Sequence, residues 1–181
     1  MASTLHPDLP QKLGLNRINR YITMHDSNGK AIFAPQQDVM YSDRGACGVA
    51  WNYAVQGFPV RMQHDVDLTN FFSPDDATET SHRNTGTRIV MPNGFTFGMA
   101  EWGPGVSTPM HKTESIDFVA VISGEIELEL DSGEKRVMKA GDVCVQRQSM
   151  HRWTNHSTDT TCRMVSVIVA AEKLAEADKL S

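Results

Sequence analysis

Apolar and polar residues alternate along residues 125–130 of the chain. A period of two predicts a β-strand with one buried and one solvated face. Residues 131–134 form a turn sequence with a glycine that can adopt positive φ, so residues 135–139 are expected to return antiparallel. A second turn at residues 139–142 leads into an apolar run at residues 143–146. The pattern therefore predicts a series of short antiparallel strands.

Similar patterns on both sides of this region predict further strands. They cover residues 17–24, 30–33, 48–55, 58–62, 87–91, 95–102 and 164–169. The first two of these strands are separated by Asn28-Gly29, a pair that favours a hairpin turn because both residues tolerate positive φ. Most of the chain is thus expected to be β-structure.

Helices are expected at only a few places. A short helix is predicted at residues 66–72, and good helix formers predict a C-terminal helix at residues 170–180. Ser73 and Pro74 are typical of a helix start, with the serine as N-cap and the proline in the first turn. Residues 78–86 are polar and predict a loop.

The composition is that of a globular protein. Of 181 residues, 40% are hydrophobic and 22% charged, so one domain with one core is expected. A net charge of −5 without a basic stripe argues against a nucleic-acid partner. No apolar run approaches the roughly 18 residues of a membrane span, and the first residues lack the apolar segment of a signal peptide. Cys47, Cys144 and Cys162 have no C-x-x-C spacing, which predicts no disulfide and a reducing, cytoplasmic location.

Histidine, acidic and glycine residues recur at fixed spacings in the region of clearest alternation. The first group is Gly105, His111, Asp117 and Gly124, and the second is Gly141, Asp142, His151 and Asn155. With these two groups, residues 95–170 resemble the small single-domain cupins, whose two motifs have this layout. The stretch at residues 21–31 is similar to that of stand-alone cupins of fungi and bacteria, some of which act in pathways to polyketides or aromatic compounds.

The chain departs from the cupin pattern at three positions. Thr113 stands where the second histidine of the first motif would be, and Asp117 replaces the usual glutamate. Arg147 stands where the second motif usually has proline, and the segment from there to His151 is one residue short. A complete site of three histidines and one carboxylate is therefore absent.

The resemblance implies an all-β fold, a cupin jelly-roll barrel of antiparallel strands over residues 93–170. Residues 1–16 are then expected to be a loose arm and residues 17–92 an N-terminal β extension packed on the barrel. Residues 171–181 would be a short C-terminal helix. Because such extensions often form a dimer interface in cupins, the resemblance also implies a homodimer.

Asp117 lies on a mostly apolar strand and is expected to point into the barrel. The residues that point inward with it are Ser115, Val119 and Val121, because alternate residues of a barrel strand face the interior. An unpaired buried carboxylate is costly, so Asp117 needs a partner. The resemblance places His111 and His151 beside it.

His111, Asp117 and His151 allow two interpretations. They form either a two-histidine, one-carboxylate metal face with open positions, or a metal-free acid–base set in which Asp117 orients a histidine. In the first case the cofactor would be a divalent metal such as Fe, Zn, Mn or Ni. Glu114, Gln146 or water would then complete the shell, since Thr113 replaces the fourth ligand.

Other side chains near the two motifs are candidates for substrate contact. Arg147 either holds a carboxylate or enolate oxygen, as a catalytic residue, or pairs with a structural acid. Arg88 is an anion clamp or an outer-face charge, and Glu101 could face solvent. The candidate substrate-binding set is Gln146, Trp102, Trp153, Thr113 and Arg88. The histidines outside the motifs, expected to be structural, are His6, His25, His64, His82 and His156.

The leading functional hypothesis is a lyase or isomerase acting on a polyketide-like or aromatic oxygenated substrate. The reaction would be dehydration, decarboxylation, cyclisation or double-bond migration beside a carbonyl. His151 or His111 would move the proton, Asp117 would orient it, and Arg147 or a metal would hold the enolate oxygen. The alternatives are a non-haem iron-dependent dioxygenase and a non-catalytic ligand-binding cupin.

Overall fold

The computed structural model describes residues 5–73, 80–82 and 88–175, and its ordered elements are mostly strands. The strands are β1 (Leu5–His6), β2 (Thr23–His25), β3 (Ala31–Phe33), β4 (Tyr41–Asp43), β5 (Cys47–Gln56), β6 (Gly94–Trp102), β7 (Ser115–Ser123), β8 (Glu125–Leu130), β9 (Lys135–Lys139), β10 (Val143–Arg147), β11 (His151–Thr154) and β12 (Cys162–Ala170). The helical elements are α1 (Leu9–Lys12), α2 (Val66–Phe71) and a 3-10 turn at Gln63–Asp65. The predicted helix at residues 66–72 is confirmed. Among the described residues, no helix is long and apolar enough to cross a membrane.

The strands pair antiparallel in three sheets. The large sheet has the order β1-β4-β5-β6-β12-β7-β10, and the small sheet has the order β11-β8-β9. Strands β2 and β3 form a separate hairpin. The predicted all-β fold with antiparallel strands is confirmed.

The main core lies between the large and the small sheet. Val121 of β7 and Met164 of β12 belong to the same buried cluster as Ile126 of β8 and Trp153 of β11. The predicted alternation of β7 is confirmed, because Ser115, Asp117, Val119 and Val121 are buried whereas Phe118 is 47% exposed. The inner face of β7 therefore points at the core and the outer face points away from it.

Gly98 gives the large sheet room for a tryptophan on its inner face. It lies opposite Trp51 in the β5–β6 pair, and a Cβ atom at Gly98 would come within 2.8 Å of the Trp51 ring. A side chain is absent at this position of β6, so the indole can lie across the strand. This arrangement brings Trp51 into the interior of the fold.

Residues 5–16 form part of the fold rather than the loose arm that the sequence predicts for residues 1–16. Strand β1 pairs with β4, and Leu9 of α1 is fully buried in a second cluster with Tyr41. The Thr161 hydroxyl donates to the Leu13 carbonyl at 2.6 Å. These contacts hold residues 5–16 against the large sheet, from β4 to the start of β12.

A buried ion pair joins β6 to β12. Arg163 Nε lies 2.8 Å from Glu101 Oε1, and the Tyr41 hydroxyl donates to the same oxygen at 2.9 Å. Arg163 also donates to the Asn16 carbonyl at 2.7 Å. Burial raises the pKa of Glu101, while Arg163 and Tyr41 oppose the shift. The interpretation that Glu101 faces solvent is therefore wrong, since its side chain is enclosed and fully paired.

Several predicted elements differ from the structure in the N-terminal region. In place of the strand predicted at residues 17–24, the structure has only the short strand Thr23–His25. It pairs with β3 in a hairpin that is separate from the large sheet. Residues 58–62 form no strand, as Pro59 has no N–H to donate to a ladder. Residues 88–91 form none either. The helix predicted to begin at Pro74, after Ser73, and most of the predicted loop lie outside the described residues.

The C-terminal segment differs as well. Residue 170 still belongs to β12, and residues 171–175 are not helical. Their backbone groups bond to other parts of the chain: the Ala171 N–H donates to the Glu114 carbonyl, and the Leu174 N–H donates to the Gln148 side chain. Since these donors are engaged outside the segment, helix propensity does not decide its conformation. Residues 176–181 lie outside the described part of the chain.

Candidate functional site

A cavity of about 170 Å³ lies on the inner face of the large sheet. Its polar lining comprises Arg44, Thr108, His111, Thr113, Asp117, Gln146, His151 and Ser166. Three tryptophans, Trp51, Trp102 and Trp153, form much of its apolar wall. A mostly apolar pocket with a few convergent polar groups is the usual form of a small-molecule site.

His111 and His151 form a close pair in this cavity. Each backbone N–H donates to the carbonyl of the other residue at 2.8 Å, and the ring centroids lie 4.3 Å apart. His111 Nδ1 lies 2.8 Å from the Pro109 carbonyl, and His151 Nδ1 lies 2.9 Å from the Ser149 carbonyl. Because a carbonyl can only accept, Nδ1 carries the hydrogen in both rings. Each neutral ring therefore has its lone pair on Nε2, where it can act as a base.

Asp117 is the carboxyl group of the cavity. The Ser115 hydroxyl donates to its Oδ1 at 2.6 Å, and the hydroxyls of Ser115 and Thr113 lie 2.7 Å apart. Burial raises the pKa of Asp117, against the opposing effects of the Ser115 hydrogen bond and of the His111 charge. The carboxylate is therefore desolvated, and it interacts electrostatically with His111.

His151 is the more buried of the two histidines. Burial lowers its pKa below the ordinary value of 6.5, and the nearby His111 lowers it further, while the bond to Ser149 opposes the shift. The His151 ring is thus neutral at physiological pH. The cavity combines an uncharged imidazole, a second imidazole and a desolvated carboxyl, which is an arrangement suited to proton transfer.

The same residues do not fit the three-ligand metal face. Within residues 5–73, 80–82 and 88–175, no group of three or more histidine, cysteine, aspartate or glutamate side chains could hold a metal ion. Two Nε2 lone pairs are available, and Asp117 accepts a hydrogen bond from Ser115 on Oδ1. Thr113 lies at the position of the missing histidine. Its hydroxyl is 2.7 Å from that of Ser115, and it supplies no nitrogen ligand.

Two predicted site residues lie away from the cavity. In the register of β10 against β7, Gln146 lies opposite Asp117 and its side chain points inward. Arg147, the next residue, is therefore exposed on the outer face of β10. Its predicted contact with an enolate oxygen is therefore wrong. Arg88 does not line the cavity either, although the adjacent Ile89 does. Gln146, Trp102, Trp153 and Thr113 all line it.

Trp51 and Arg44 are lining residues that the sequence patterns do not indicate. Trp51 lies in a predicted strand, and the signal for its orientation is Gly98, which becomes informative only when the pairing of β5 with β6 is known. Arg44 precedes β5 in a turn, and no pattern in the sequence marks it. Both residues come from outside the two motifs.

The other residues of the two motifs support the cavity without lining it. Asn155 is fully buried, and its side-chain N–H groups donate to the carbonyls of Trp102, Gly103 and Thr160. Gly124 has φ +74°, and a Cβ there would come within 2.8 Å of the Thr161 carbonyl. These residues fix the loops at the ends of the strands, so the chemistry is left to His111, Asp117 and His151.

Two antiparallel sheets that enclose a histidine and carboxylate pocket define the class of protein: the chain belongs to the cupin family. The family described as "Cupin domain" matches residues 98–168. The chain is 37% identical to "Phomopsin biosynthesis cluster protein D" of Diaporthe leptostromiformis, over 99% of this chain and 91% of that protein. It is 31% identical to "Oryzines biosynthesis cluster protein J" of Aspergillus oryzae, over 95% and 90%. It is 33% identical to "Cupin-domain-containing oxidoreductase virC" of Hypocrea virens, over 86% and 77%.

Proposed function

We propose that this cupin is an enzyme of natural-product biosynthesis, a lyase or isomerase that moves a proton beside a carbonyl of an oxygenated aromatic or polyketide-like substrate. The observation that carries the proposal is the histidine pair, whose Nδ1 atoms are held by backbone carbonyls so that both Nε2 lone pairs are available. The relatives named as proteins of biosynthesis clusters support the metabolic setting.

In the proposed mechanism His111 is the base. Its Nε2 takes a proton from the carbon next to the substrate carbonyl, and the C–H electron pair becomes the enolate. Asp117 stabilises the imidazolium that forms, because its charge acts on His111. The imidazolium then returns the proton to another carbon, which shifts the double bond, or to a departing hydroxyl, which completes a dehydration. His151 stays neutral beside it.

Hydrogen exchange tests this step with simple ketones in place of the natural substrate. Single-ring aryl ketones such as 2′-hydroxyacetophenone are incubated with the protein in D₂O, and the C–H signals next to the carbonyl are followed by NMR. The wild type should accelerate exchange above the buffer rate, and His111→Ala should not. Exchange at the buffer rate for a panel of such ketones would favour the non-catalytic, ligand-binding cupin instead.

An oxidoreductase is the second candidate, because relatives at 31–33% identity carry that description. The absence of a three-ligand group among the described residues does not support the dioxygenase version of it. Metal analysis of the purified protein separates the two candidates. The acid–base enzyme should keep its full exchange rate after exhaustive chelation and under argon, whereas a metal-dependent oxidoreductase should lose turnover under both conditions.

The outer face of the large sheet supports a homodimer. The outer apolar patch consists of Phe97, Phe118, Ala120, Val143, Val145, Val165 and Val167, which are direct neighbours across β6, β12, β7 and β10. Val143 is 75% exposed and Val145 is 54% exposed. Strand spacings make this patch on the order of 400 Å², within the roughly 300–600 Å² of the largest apolar patch on a typical monomer, which is often functional.

We infer that a second copy of the chain covers the outer apolar patch. A stable dimer buries about 800 Å² per partner, so the patch supplies roughly half of the interface and its rim the rest. Each chain has a net charge of −5, and a patch without charged side chains lets two acidic copies meet without like charges in contact.

A further inference from the structure

Three side chains that line the cavity each carry a buried hydrogen-bond donor without an acceptor. Among the described residues, the buried side-chain polar atoms without a partner are Arg20 Nη2, Trp51 Nε1, Asn52 Oδ1, Asp67 Oδ1, Trp102 Nε1, Gln146 Nε2 and Arg152 Nε. The side chains in this set that line the cavity are those of Trp51, Trp102 and Gln146. All three of their unpartnered atoms are N–H donors. The unpartnered acceptor oxygens belong to residues that do not line the cavity.

The three side chains are more than nine-tenths buried, with exposures of 2% for Trp51, 8% for Trp102 and 4% for Gln146. A buried N–H without an acceptor costs free energy, and such groups are rare in native proteins unless they have a role. Gln146 is the clearest example, because it lies opposite Asp117 in the β7–β10 pair and yet does not donate to that carboxylate. The missing acceptors of all three donors are therefore expected in the cavity.

The positions of the donors define what the ligand must present. Trp51 is on β5 and Gln146 is on β10, at opposite ends of the run β5-β6-β12-β7-β10. The two donors thus approach the cavity from different sides. The cavity volume of about 170 Å³ is similar to the ~150 Å³ of an apolar cavity that binds benzene. A single ring with substituents fits this space.

We infer that the substrate is a ring-sized, largely apolar molecule with acceptor oxygens on at least two edges, held by the N–H groups of Trp51, Trp102 and Gln146. Aryl diketones and quinone-like rings are the chemical class that meets these conditions. The inference deepens the proposed function, on which it rests for placing the substrate in this cavity. Gln146, beside Asp117, donates to the carbonyl oxygen that becomes the enolate, the position predicted for Arg147.

Paired probes of the same shape test the inference without turnover. 1,3-Diacetylbenzene offers two acceptor oxygens, whereas 1,3-diisopropenylbenzene replaces each oxygen by a CH₂ group. Tryptophan fluorescence reports binding, since all three tryptophans of the chain line the cavity. The wild type should prefer the diketone. Gln146→Leu should reduce this preference, measured as the ratio of the two dissociation constants, about tenfold.

The melting temperature of the ligand-free protein gives a second readout, and it should improve in the same variant that binds the diketone less well. Gln146→Leu removes an unpartnered donor at similar volume, so it should raise the melting temperature by about 2–4 °C while it weakens diketone binding. Trp102→Phe should likewise reduce the preference for the diketone. Val137→Leu, at an exposed residue of β9 outside both the patch and the cavity, is the control and should change neither quantity.

Each result decides the inference. An unchanged probe ratio in both Gln146→Leu and Trp102→Phe overturns it, and so does a wild type that binds neither probe. The acid–base proposal fails separately, because C–H exchange tests it and the probe ratio does not. A wild type that prefers the diketone but exchanges no C–H hydrogen would leave the ligand class standing and remove the proton-transfer step.

Discussion

His111 and His151 are joined through their backbones, each N–H donating to the carbonyl of the other at 2.8 Å. The loop that carries His111 and the start of β11, which are distant in the sequence, are thereby fixed side by side. The ring centroids of the two imidazoles lie 4.3 Å apart. The pairing uses no side-chain atom. Either ring can therefore be removed while the backbone frame of the site remains.

Removal of either ring should separate activity from folding. His111→Ala should lower the C–H exchange rate by about 10²–10⁴-fold, because the base is lost, and circular dichroism should be unchanged. His151→Ala should also lower the rate, because the neutral ring that packs against His111 is lost. It should cost about 1–3 kcal/mol in unfolding free energy because this side chain is buried. His156→Ala, which removes a surface partner of Glu127, is the control and should keep the full rate. Wild-type exchange by both cavity variants would contradict the proposed role of the pair.

The protein should become less stable as the pH decreases, because of His151. The pKa of this residue is lowered by burial from 6.5, so the unfolded state binds its proton more readily than the folded state. Stability from the neutral ring is complete above about pH 6.5 and is lost as the pH falls through the folded pKa. The unfolding free energy of the wild type relative to His151→Gln should therefore decrease from pH 7.5 to pH 5. Urea unfolding at each pH measures this free energy, and an equal dependence on pH in the two proteins would contradict the prediction. The variant His64→Gln, at an exposed histidine, controls for the loss of an imidazole.

The buried Glu101–Arg163 pair should be costly to break on one side. Arg163→Met leaves the Glu101 carboxyl without its cationic partner and should cost about 3–5 kcal/mol in urea unfolding. The double variant Glu101→Gln/Arg163→Met should recover part of this loss, because no unpaired charge is then buried. Lys135→Met at the exposed pair with Glu127 should be close to neutral. A cost for Arg163→Met no larger than that for Lys135→Met would show that the pair is not enclosed.

The outer apolar patch gives a prediction about assembly. Light scattering of the wild type should give twice the mass of the chain, and Val145→Lys should give the mass of one chain. Val145 is 54% exposed in the single chain, so a lysine there can be solvated without loss of the fold. Ile32→Lys, at an exposed apolar residue of β3, should remain dimeric. A dimeric Val145→Lys protein would place the interface elsewhere.

Alternation was sufficient to predict the inward face of β7. The expectation that His111 and His151 lie beside Asp117 came from the resemblance to cupins, and all three residues line one cavity. Local pattern could not predict the side on which Arg147 lies. Its orientation depends on the register of β10 against β7, which places Gln146 opposite Asp117. A shift of one residue would have reversed the two side chains.

Burial of Glu101 and docking of residues 5–16 could not be predicted for a related reason. Each depends on contacts between residues far apart in the sequence, such as Arg163 with Asn16 and Thr161 with Leu13. No window of sequence contains both partners. The segment at residues 171–175 shows the same limit, because Gln148 engages the backbone groups that a helix would have used.

The place of β12 in the large sheet affects how the chain folds during synthesis. This last strand lies between β6 and β7 and pairs with both along most of its length. On the ribosome, β6 and β7 emerge first but have no direct contact in the sheet, and their facing edges stay open until residues 162–170 leave the exit tunnel. Such non-local pairing slows folding and exposes unpaired edges to aggregation. Nascent chains should therefore depend on chaperones until β12 has emerged.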